Sequence, residues 1–429
     1  MTTAGAPEPG HGNEPAGTAQ PSSALREFLR EETSSGAALL FAAIVALAWA
    51  NSPWRASYVS LWNHRFSLRI GGFGIADSLR DWVNDGLMAL FFFVAGIEIK
   101  RELVHGKLRA WRAAATPIIA AVGGMVVPAA LFVAVTHDSS VGHGWGVPMA
   151  TDIAFAVGVV TLLGRRVPAP LKLFLLTLAI VDDIGAIIVI AIFYGGSINW
   201  FDLAIAIAVL ALMVVAWSLG LRQLRWFVIA GIGVWLATKS SGVHGTVAGV
   251  ALGLLVPTTA PLNAGTDERT LEGAPEPAAA PLIERLEHRL HPWSAFVVIP
   301  IFALANTGVR FDSAVFDAAG ASRVALAIGI GLAFGKVIGV SCATWLAVKL
   351  GIGVLPSGST WLHLVGVGAI AGVGFTVSLF VTQLAFASPA LIDAAKLAIL
   401  AASAIAAIGG STLIVIAHRR TNRQRQLVR

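Results

Sequence analysis

The sequence predicts an all-α polytopic membrane protein of twelve transmembrane helices with inverted-topology repeats, and three observations carry that reading. Of its 429 residues, 56% are apolar and only 13% are charged, about half the charged share of a soluble domain. Apolar runs bounded by charges or Gly/Pro clusters recur along the chain, and basic residues concentrate in alternate loops. A water-soluble monomer is excluded. The single cysteine, Cys342, excludes an internal disulfide and a cysteine-based metal cluster. The net charge of +6 is assigned to membrane orientation rather than to nucleic acid, because basic residues mark cytoplasmic loops.

Taken in order, residues 1–30 bear Pro, Gly, Ser and Glu without an apolar stretch, which predicts a disordered cytoplasmic tail and no cleavable signal. The membrane domain runs over 31–418. Spans are expected near 35–51, 82–103, 113–136, 144–163, 170–194, 201–219, 224–239, 241–256, 293–309, 323–349, 360–384 and 391–417. The seventh and eighth abut at Lys239 to Gly242, so one bent helix, and eleven spans, is the alternative. With the N-terminus inside, the inner loops hold twenty-one of the thirty Lys and Arg residues, the outer loops hold eight, and Lys336 falls within a span. That asymmetry places both termini in the cytoplasm, the C-terminus as a basic tail over 419–429.

Two loops are long enough for structure of their own. In 56–75, the alternation from His64 to Ile70 followed by Gly71-Gly72 reads as an outward β-hairpin. Its exposed edge is a candidate homodimer contact, and an unpaired surface loop is the alternative. The inner loop 257–292 is Pro/Ala-rich, and Ile283 to Glu287 starts a helix leading into the ninth span.

An ionised side chain at mid-span costs about 2.5–3.5 kcal/mol on insertion scales, so each one asks for a partner or a purpose. Four stand out: Asp152, the adjacent Asp182 and Asp183, and Lys336. Neighbours on a helix point about 100° apart, so one aspartate takes a salt bridge while the other lines a cavity. Na⁺ is a hard cation suited to carboxylate, hydroxyl and carbonyl oxygens, and Asp182, Asp183 and Thr151 supply that set. Carboxylates crowded in a half-dry cavity repel each other, and protons relieve the repulsion. A site that holds either a cation or protons exchanges one for the other. Structural ion pairs inside a bundle are the competing reading.

The fourth span opens on Gly142, Gly144, Gly146 and Pro148, and the eleventh carries Gly366, Gly368, Gly372 and Gly374. Both are expected to be interrupted, although glycines also serve close helix packing. Spans 4 and 11 differ by an odd number, so resemblance of spans 3–5 to spans 10–12 requires the two repeats to lie upside down to each other, with a midplane site between broken helices. Asp152 is then suited to facing N-termini and Lys336 to facing C-termini.

Residues 150–156 (ATDIAFA), 181–187 (VDDIGAI), 96–103 (GIEIKREL), 241–246 (SGVHGT), 286–293 (LEHRLHPW) and 335–339 (GKVIG) are together similar to the NhaA family of Na⁺/H⁺ antiporters. The resemblance runs in order from about residue 30 to 417 and leaves 258–282 uncovered. Inverted repeats are a known feature of that family, so the architecture is not an independent finding here. The resemblance implies an inner-membrane antiporter that exports Na⁺ or Li⁺ against protons, is activated at alkaline pH, needs no cofactor, and forms a homodimer through an outward hairpin. It implies Asp183 as main cation ligand, Asp182 as a proton carrier paired with Lys336, and Asp152 with Thr151 at the helix crossing. Asp85 would line the passage, and Glu98, Glu102, Glu287 and His291 would form a pH-sensing cluster. Solvated surface pairs are the alternative for those last four. His244 is a candidate switch because histidine as a residue type suits one near neutral pH, against the alternative of a packed, hydrogen-bonded residue.

The expected mechanism is alternating access with electrogenic exchange. A sodium-coupled symporter is the nearest rival, and would need a sizeable organic-substrate pocket. An intramembrane aspartyl protease lacks its Gly-x-Gly-Asp signature here, and no nucleophile motif supports a serine version. A passive channel would conduct without regard to pH gradients.

Overall fold

The computed structural model describes residues 23–70, 73–104, 106, 111–137, 141–221, 224–258 and 282–427. The tail reading for 1–22 and the loop reading for 259–281 lie outside the described residues. The tail expected over 1–30 is shortened, because helix α1 (Ser23–Ala50) begins at Ser23. Its leading segment, SALREFLREE, holds mostly good helix formers and no Gly or Pro.

The stretch expected to form a hairpin over 56–75 divides in two. Helix α2 (Arg55–Asn63) comes first, then strands β1 (Arg65–Ile70) and β2 (Phe73–Ser78), paired antiparallel with Arg65 opposite Ser78 and Ile70 opposite Phe73. Residues 56–63 are helical because Tyr58 and Trp62 bury one helix face at i and i+4, a spacing that period-2 alternation cannot satisfy. Ser78 then caps α3 (Leu79–Trp82) in a capping box with Asp81.

A one-turn π-helix, Val83–Leu87, joins α3 to α4 (Met88–Val104). Next come α5 (Trp111–Thr136), a 3-10 segment Gly142–Met149, α6 (Ile153–Leu162), α7 (Ala169–Phe193), α8 (Trp200–Ser218), α9 (Leu224–Ser240) and α10 (Gly245–Leu255). The seventh and eighth expected spans form two separate helices rather than one continuous one. Gly242 has φ +84°, a conformation that ends a helix, and α10 restarts at Gly245.

Helix α11 (Leu282–Trp293) turns Ile283 inward and Glu284, Arg285, His288 and Arg289 outward. It continues through a π turn, Ser294–Val298, into α12 (Ile299–Asn306). Helix α13 (Ala321–Ile330) likewise passes through a π turn, Gly331–Gly335, into α14 (Lys336–Lys349). The chain ends with α15 (Trp361–Ile370), α16 (Phe375–Ala385) and α17 (Pro389–Leu427), whose final turns carry the basic segment from Arg419 onward.

Apart from one hairpin, the described residues form an all-helical fold of the kind that makes a multi-pass membrane protein. Among the described residues seven helices are individually long and apolar enough to cross a bilayer, and the pair α15 and α16, bent by 48° at residues 371–374, makes an eighth. The other expected spans are helical but short, as in α9 and α10, or are divided by π turns, as in α4 and α12. Large apolar side chains such as Phe41, Leu162 and Ile192 lie exposed on the span helices, as a lipid solvent allows.

Two close helix crossings position the charged residues. A Cβ on Gly339 of α14 would fall on the Gly123 carbonyl of α5, and one on Gly124 would lie 3.7 Å from the Lys336 side chain. Only glycine at 123 and 339 lets these backbones approach so closely, and Lys336 packs beside the crossing. Gly249 and Gly253 of α10 likewise press on the Ala89 and Phe93 carbonyls of α4, fixing the helix that carries Glu98.

Candidate functional site

The two interrupted helices meet at their breaks. Residues 150–152 separate the 3-10 segment from α6, and residues 371–374 separate α15 from α16. Unwound backbone inside a membrane must find partners within the protein, and here each break supplies the other's. The Asp152 amide donates to the Val373 carbonyl (2.7 Å), the Thr151 hydroxyl donates to the Ala371 carbonyl (2.8 Å), and the Ser378 hydroxyl donates to the Val147 carbonyl (2.8 Å).

Asp152 is the N-cap of α6, its Oδ1 accepting from the Phe155 amide at 3.0 Å. Its Oδ2 accepts from the Thr376 amide at 3.0 Å and the Thr376 hydroxyl at 2.6 Å, at the N-terminus of α16. One carboxylate therefore serves the positive ends of two helices, as expected for Asp152. Lys336 departs from its expectation. It reaches the C-terminus of α15 only through Thr151, because its ammonium is taken by nearer oxygens: Asp182 Oδ2 at 2.6 Å and Thr151 Oγ at 3.0 Å. Both side chains of the Asp182–Lys336 pair are fully buried.

Asp183, the next residue on α7, faces elsewhere. It lines a cavity of about 70 Å³ with Asp152, Thr376, Glu98, His291 and Ser294. Its Oδ1 is buried without a hydrogen-bond partner, and the cavity the residue borders is large enough for an ion and a water or two. The expected oxygen set of Asp182, Asp183 and Thr151 is accordingly divided in this conformation. Asp182 and Thr151 are bonded to Lys336, while Asp183 shares the cavity with Asp152.

Glu98 and His291 sit at the cavity's other wall, with His291 Nε2 3.7 Å from Glu98 Oε1. Beyond them Arg101 pairs with Glu287 at 2.5 Å. Burial pushes the Glu287 carboxyl above the usual carboxylate range, against the pull of Arg101 and His291 and with the acidic Glu284 and Glu102 adding to the rise. Glu98, Glu102, Glu287 and His291 thus gather where α4 meets α11.

Two other candidates lie apart. Asp85, on the first π turn, is not among the residues lining the cavity. It pairs with Lys239 at 2.8 Å, and Lys239 also bonds Asp77 of the hairpin. His244 caps α10 by position, and its Nε2 lies 2.6 Å from the Tyr194 carbonyl, a packed histidine bonded to backbone.

Sequence reasoning missed Thr376 and Ser378 as bonding groups, although both follow directly on the glycines that predicted the break. The eight Lys and Arg residues counted with the outer loops included Lys396, although it falls within the expected span 391–417, and its side chain is buried within α17 near Asp393 and Arg80.

Known proteins are similar to this chain along most of its length. A family model described as Na⁺/H⁺ antiporter 1 matches residues 26–414. The chain is 44% identical over 407 residues to the Na⁺/H⁺ antiporter NhaA 3 of Frankia alni, covering 91% of this chain and 88% of that protein. It is 43% identical over 424 residues to the Na⁺/H⁺ antiporter NhaA of Oleidesulfovibrio alaskensis, covering 91% and 93%, and 43% identical over 418 residues to the Na⁺/H⁺ antiporter NhaA 1 of Acidiphilium cryptum, covering 92% of each.

Proposed function

The chain belongs to the Na⁺/H⁺ antiporter 1 family, and from that premise we propose that it is a secondary transporter, not an enzyme, exchanging intracellular Na⁺ or Li⁺ for external protons by alternating access. The observation that carries the reading is the division between two adjacent carboxylates: Asp182 held by Lys336, and Asp183 beside a cavity with one buried oxygen left unbonded. A cavity of about 70 Å³, with carboxylates in its lining, suits a small ion and is too small for the organic substrate of a symporter, since small-molecule pockets run to about 300–1,000 Å³.

In the proposed cycle, protons leave the carboxylates on the cytoplasmic side at high pH and Na⁺ binds Asp183. Asp182 and Thr151 join the ion once Lys336 releases them, because an ammonium and a sodium ion cannot share the same oxygens. The loaded site then opens to the outside, and entering protons reset Asp183 and the Asp182–Lys336 pair. Two groups reloading with protons for each Na⁺ released moves net positive charge inward, so the exchange is electrogenic and driven by membrane potential. Glu98, Glu102, Glu287 and His291 gather beside the cavity's cytoplasmic approach, and we assign them the control by pH. His244 is bonded to backbone away from this cluster, which favours a structural role for it, and Asp85 contributes to an outer ion pair.

The surrounding architecture follows the same reading: twelve spans in inverted repeats, both ends in the cytoplasm, and a bacterial inner-membrane location. The hairpin edge of β1 and β2 is assigned the homodimer contact. Replacing 64–78 with a short turn should convert the detergent-solubilised particle from two chains to one, and an unchanged mass would rule that contact out.

The deciding experiment is Na⁺-dependent proton flux in everted vesicles, read by a pH-sensitive dye across pH. Addition of Na⁺ should collapse the gradient in the native protein and not in Asp183→Asn. A native-like response from that variant would remove Asp183 from the mechanism.

A further inference from the structure

The start of α15 is closed by a histidine. Thr360 is the N-cap, and His363, the third helical residue, completes a capping box with it. The His363 amide donates to the Thr360 hydroxyl at 3.4 Å, and the Thr360 amide donates to His363 Nδ1 at 3.3 Å. The Thr360 hydroxyl lies 2.9 Å from the same nitrogen. A capping box ordinarily has Glu or Gln at this place, whose side chain accepts from the N-cap amide. An imidazole can do so only while Nδ1 keeps its lone pair, because both ring nitrogens of a protonated histidine are donors. The box therefore selects the neutral ring with its hydrogen on Nε2, and Nε2 is buried without a hydrogen-bond partner. His363 itself is 2% exposed. A proton arriving on Nδ1 removes the acceptor from the Thr360 amide and places a charge in dry surroundings.

The neighbours do not compensate for that charge. Helix α15 packs against α17, α14, α6 and α7, and Gly358, just before the cap, lies beside Pro168 at the start of α7. The titratable or charged groups that these elements carry at this end are His418, Arg419 and Arg420 of α17, Lys349 of α14, Lys172 of α7, and Arg165 and Arg166 between α6 and α7. All are basic, and His418 is the one whose charge bears on His363. Among the described residues of that set there is no carboxylate.

We propose that His363 is a proton-operated cap: neutral, it fixes the first turn of α15, and protonated, it releases that turn. Its bonds are made only by the neutral ring, so they are present at neutral and alkaline pH and are lost as pH falls through and below about 6.5, the ordinary histidine value. The assignment of this end to the cytoplasm and the consequence for transport rest on the antiport reading above. Helix α15 runs from the cap to Ile370, about 15 Å at 1.5 Å per residue. The Ala371 carbonyl that follows accepts from Thr151, whose hydroxyl oxygen accepts in turn from Lys336. Acid on the cytoplasmic side loosens the helix that presents this carbonyl, and Na⁺ exchange falls with it.

The test is amide hydrogen exchange on the full chain in lipid nanodiscs, following residues 358–366 between about pH 8 and pH 5, on either side of the histidine range, and corrected for the intrinsic pH dependence of exchange. Native protein should lose protection about twofold to thirtyfold on acidification, the size of a lost helix cap. His363→Gln, whose amide oxygen accepts without titrating, should stay level, and His363→Ala should be poorly protected throughout. An equal fall in the native protein and His363→Gln, or no fall in either, would overturn the cap. In everted vesicles, His363→Gln should hold Na⁺-dependent proton flux at acidic pH where the native protein has lost it. Coincident flux profiles beside the expected exchange pattern would overturn the link to transport. That pattern in a native protein without Na⁺-dependent flux at any pH would uphold the cap and count against the antiport reading instead.

Discussion

Asp182 and Asp183 are consecutive on one helix and live under opposite conditions. Asp182 lies in a dry knot, its charge cancelled at 2.6 Å by a lysine as fully buried as itself. Asp183 borders a polar cavity and keeps an oxygen without a protein partner. The helical turn of about 100° per residue is enough to give two identical side chains two jobs. In this conformation the first is bonded to Lys336, and the second keeps an oxygen unbonded.

The sharpest way to break this contrast is Asp183→Asn. It should abolish Na⁺-dependent proton flux while leaving thermal stability unchanged or slightly raised, because no protein partner is lost. A fall in melting temperature comparable to that of a Lys336 variant would place Asp183 in the structural knot as well.

Lys336→Ala should produce the reverse balance in the folded protein. Removing one member of a buried ion pair costs about 3–5 kcal/mol, since the other charge is stranded, so a large drop in thermal stability is expected. The double variant Lys336→Ala/Asp182→Asn should recover most of it. Failure of that rescue would show that the lysine acts through packing rather than through charge.

How much of this was legible beforehand follows a physical rule. Charges within apolar runs announce themselves, so Asp152, Asp182, Asp183 and Lys336 were visible, as were the glycines at both breaks. The angular argument even separated the two aspartates, though it could not say which took the lysine without the family resemblance. Thr376 was not legible as a bonding partner, because threonine in a span usually bonds its own helix, as Thr382 does to Ser378. The three π turns among the described residues left no pattern either, since each depends on where one extra residue finds its hydrogen bond. Lys396 was misplaced because it falls within two turns of a helix end, where a lysine ordinarily reaches water.

A third prediction extends the comparison to the crossing. Asp152→Ala removes acceptors from the N-termini of α6 and α16 together, and a lost N-cap costs about 0.5–2 kcal/mol each. Stability should fall by less than for Lys336→Ala, and Asp152→Asn, which keeps an acceptor, should fall less again, as read by thermal unfolding in detergent.

The smallest effect is expected at Glu287. Its folded carboxyl keeps its proton to higher pH than a free glutamate, whose usual value is 4.5. Folding therefore takes up a proton there, and this stabilising contribution is present below about that value and fades as pH rises through the raised one. Glu287→Gln should flatten the decline of melting temperature over that window and move the pH profile of flux modestly. An unaltered profile on both measures would leave Arg101 and Glu287 as a surface pair.

Because one carboxylate is bonded to the starts of α6 and α16 together, the two segmented helices behave as the arms of a single axle. Neither can slide past the other without stranding backbone amides in oil. Any movement at this crossing would therefore have to carry both segmented helices together or find new partners for the amides that Asp152 now holds.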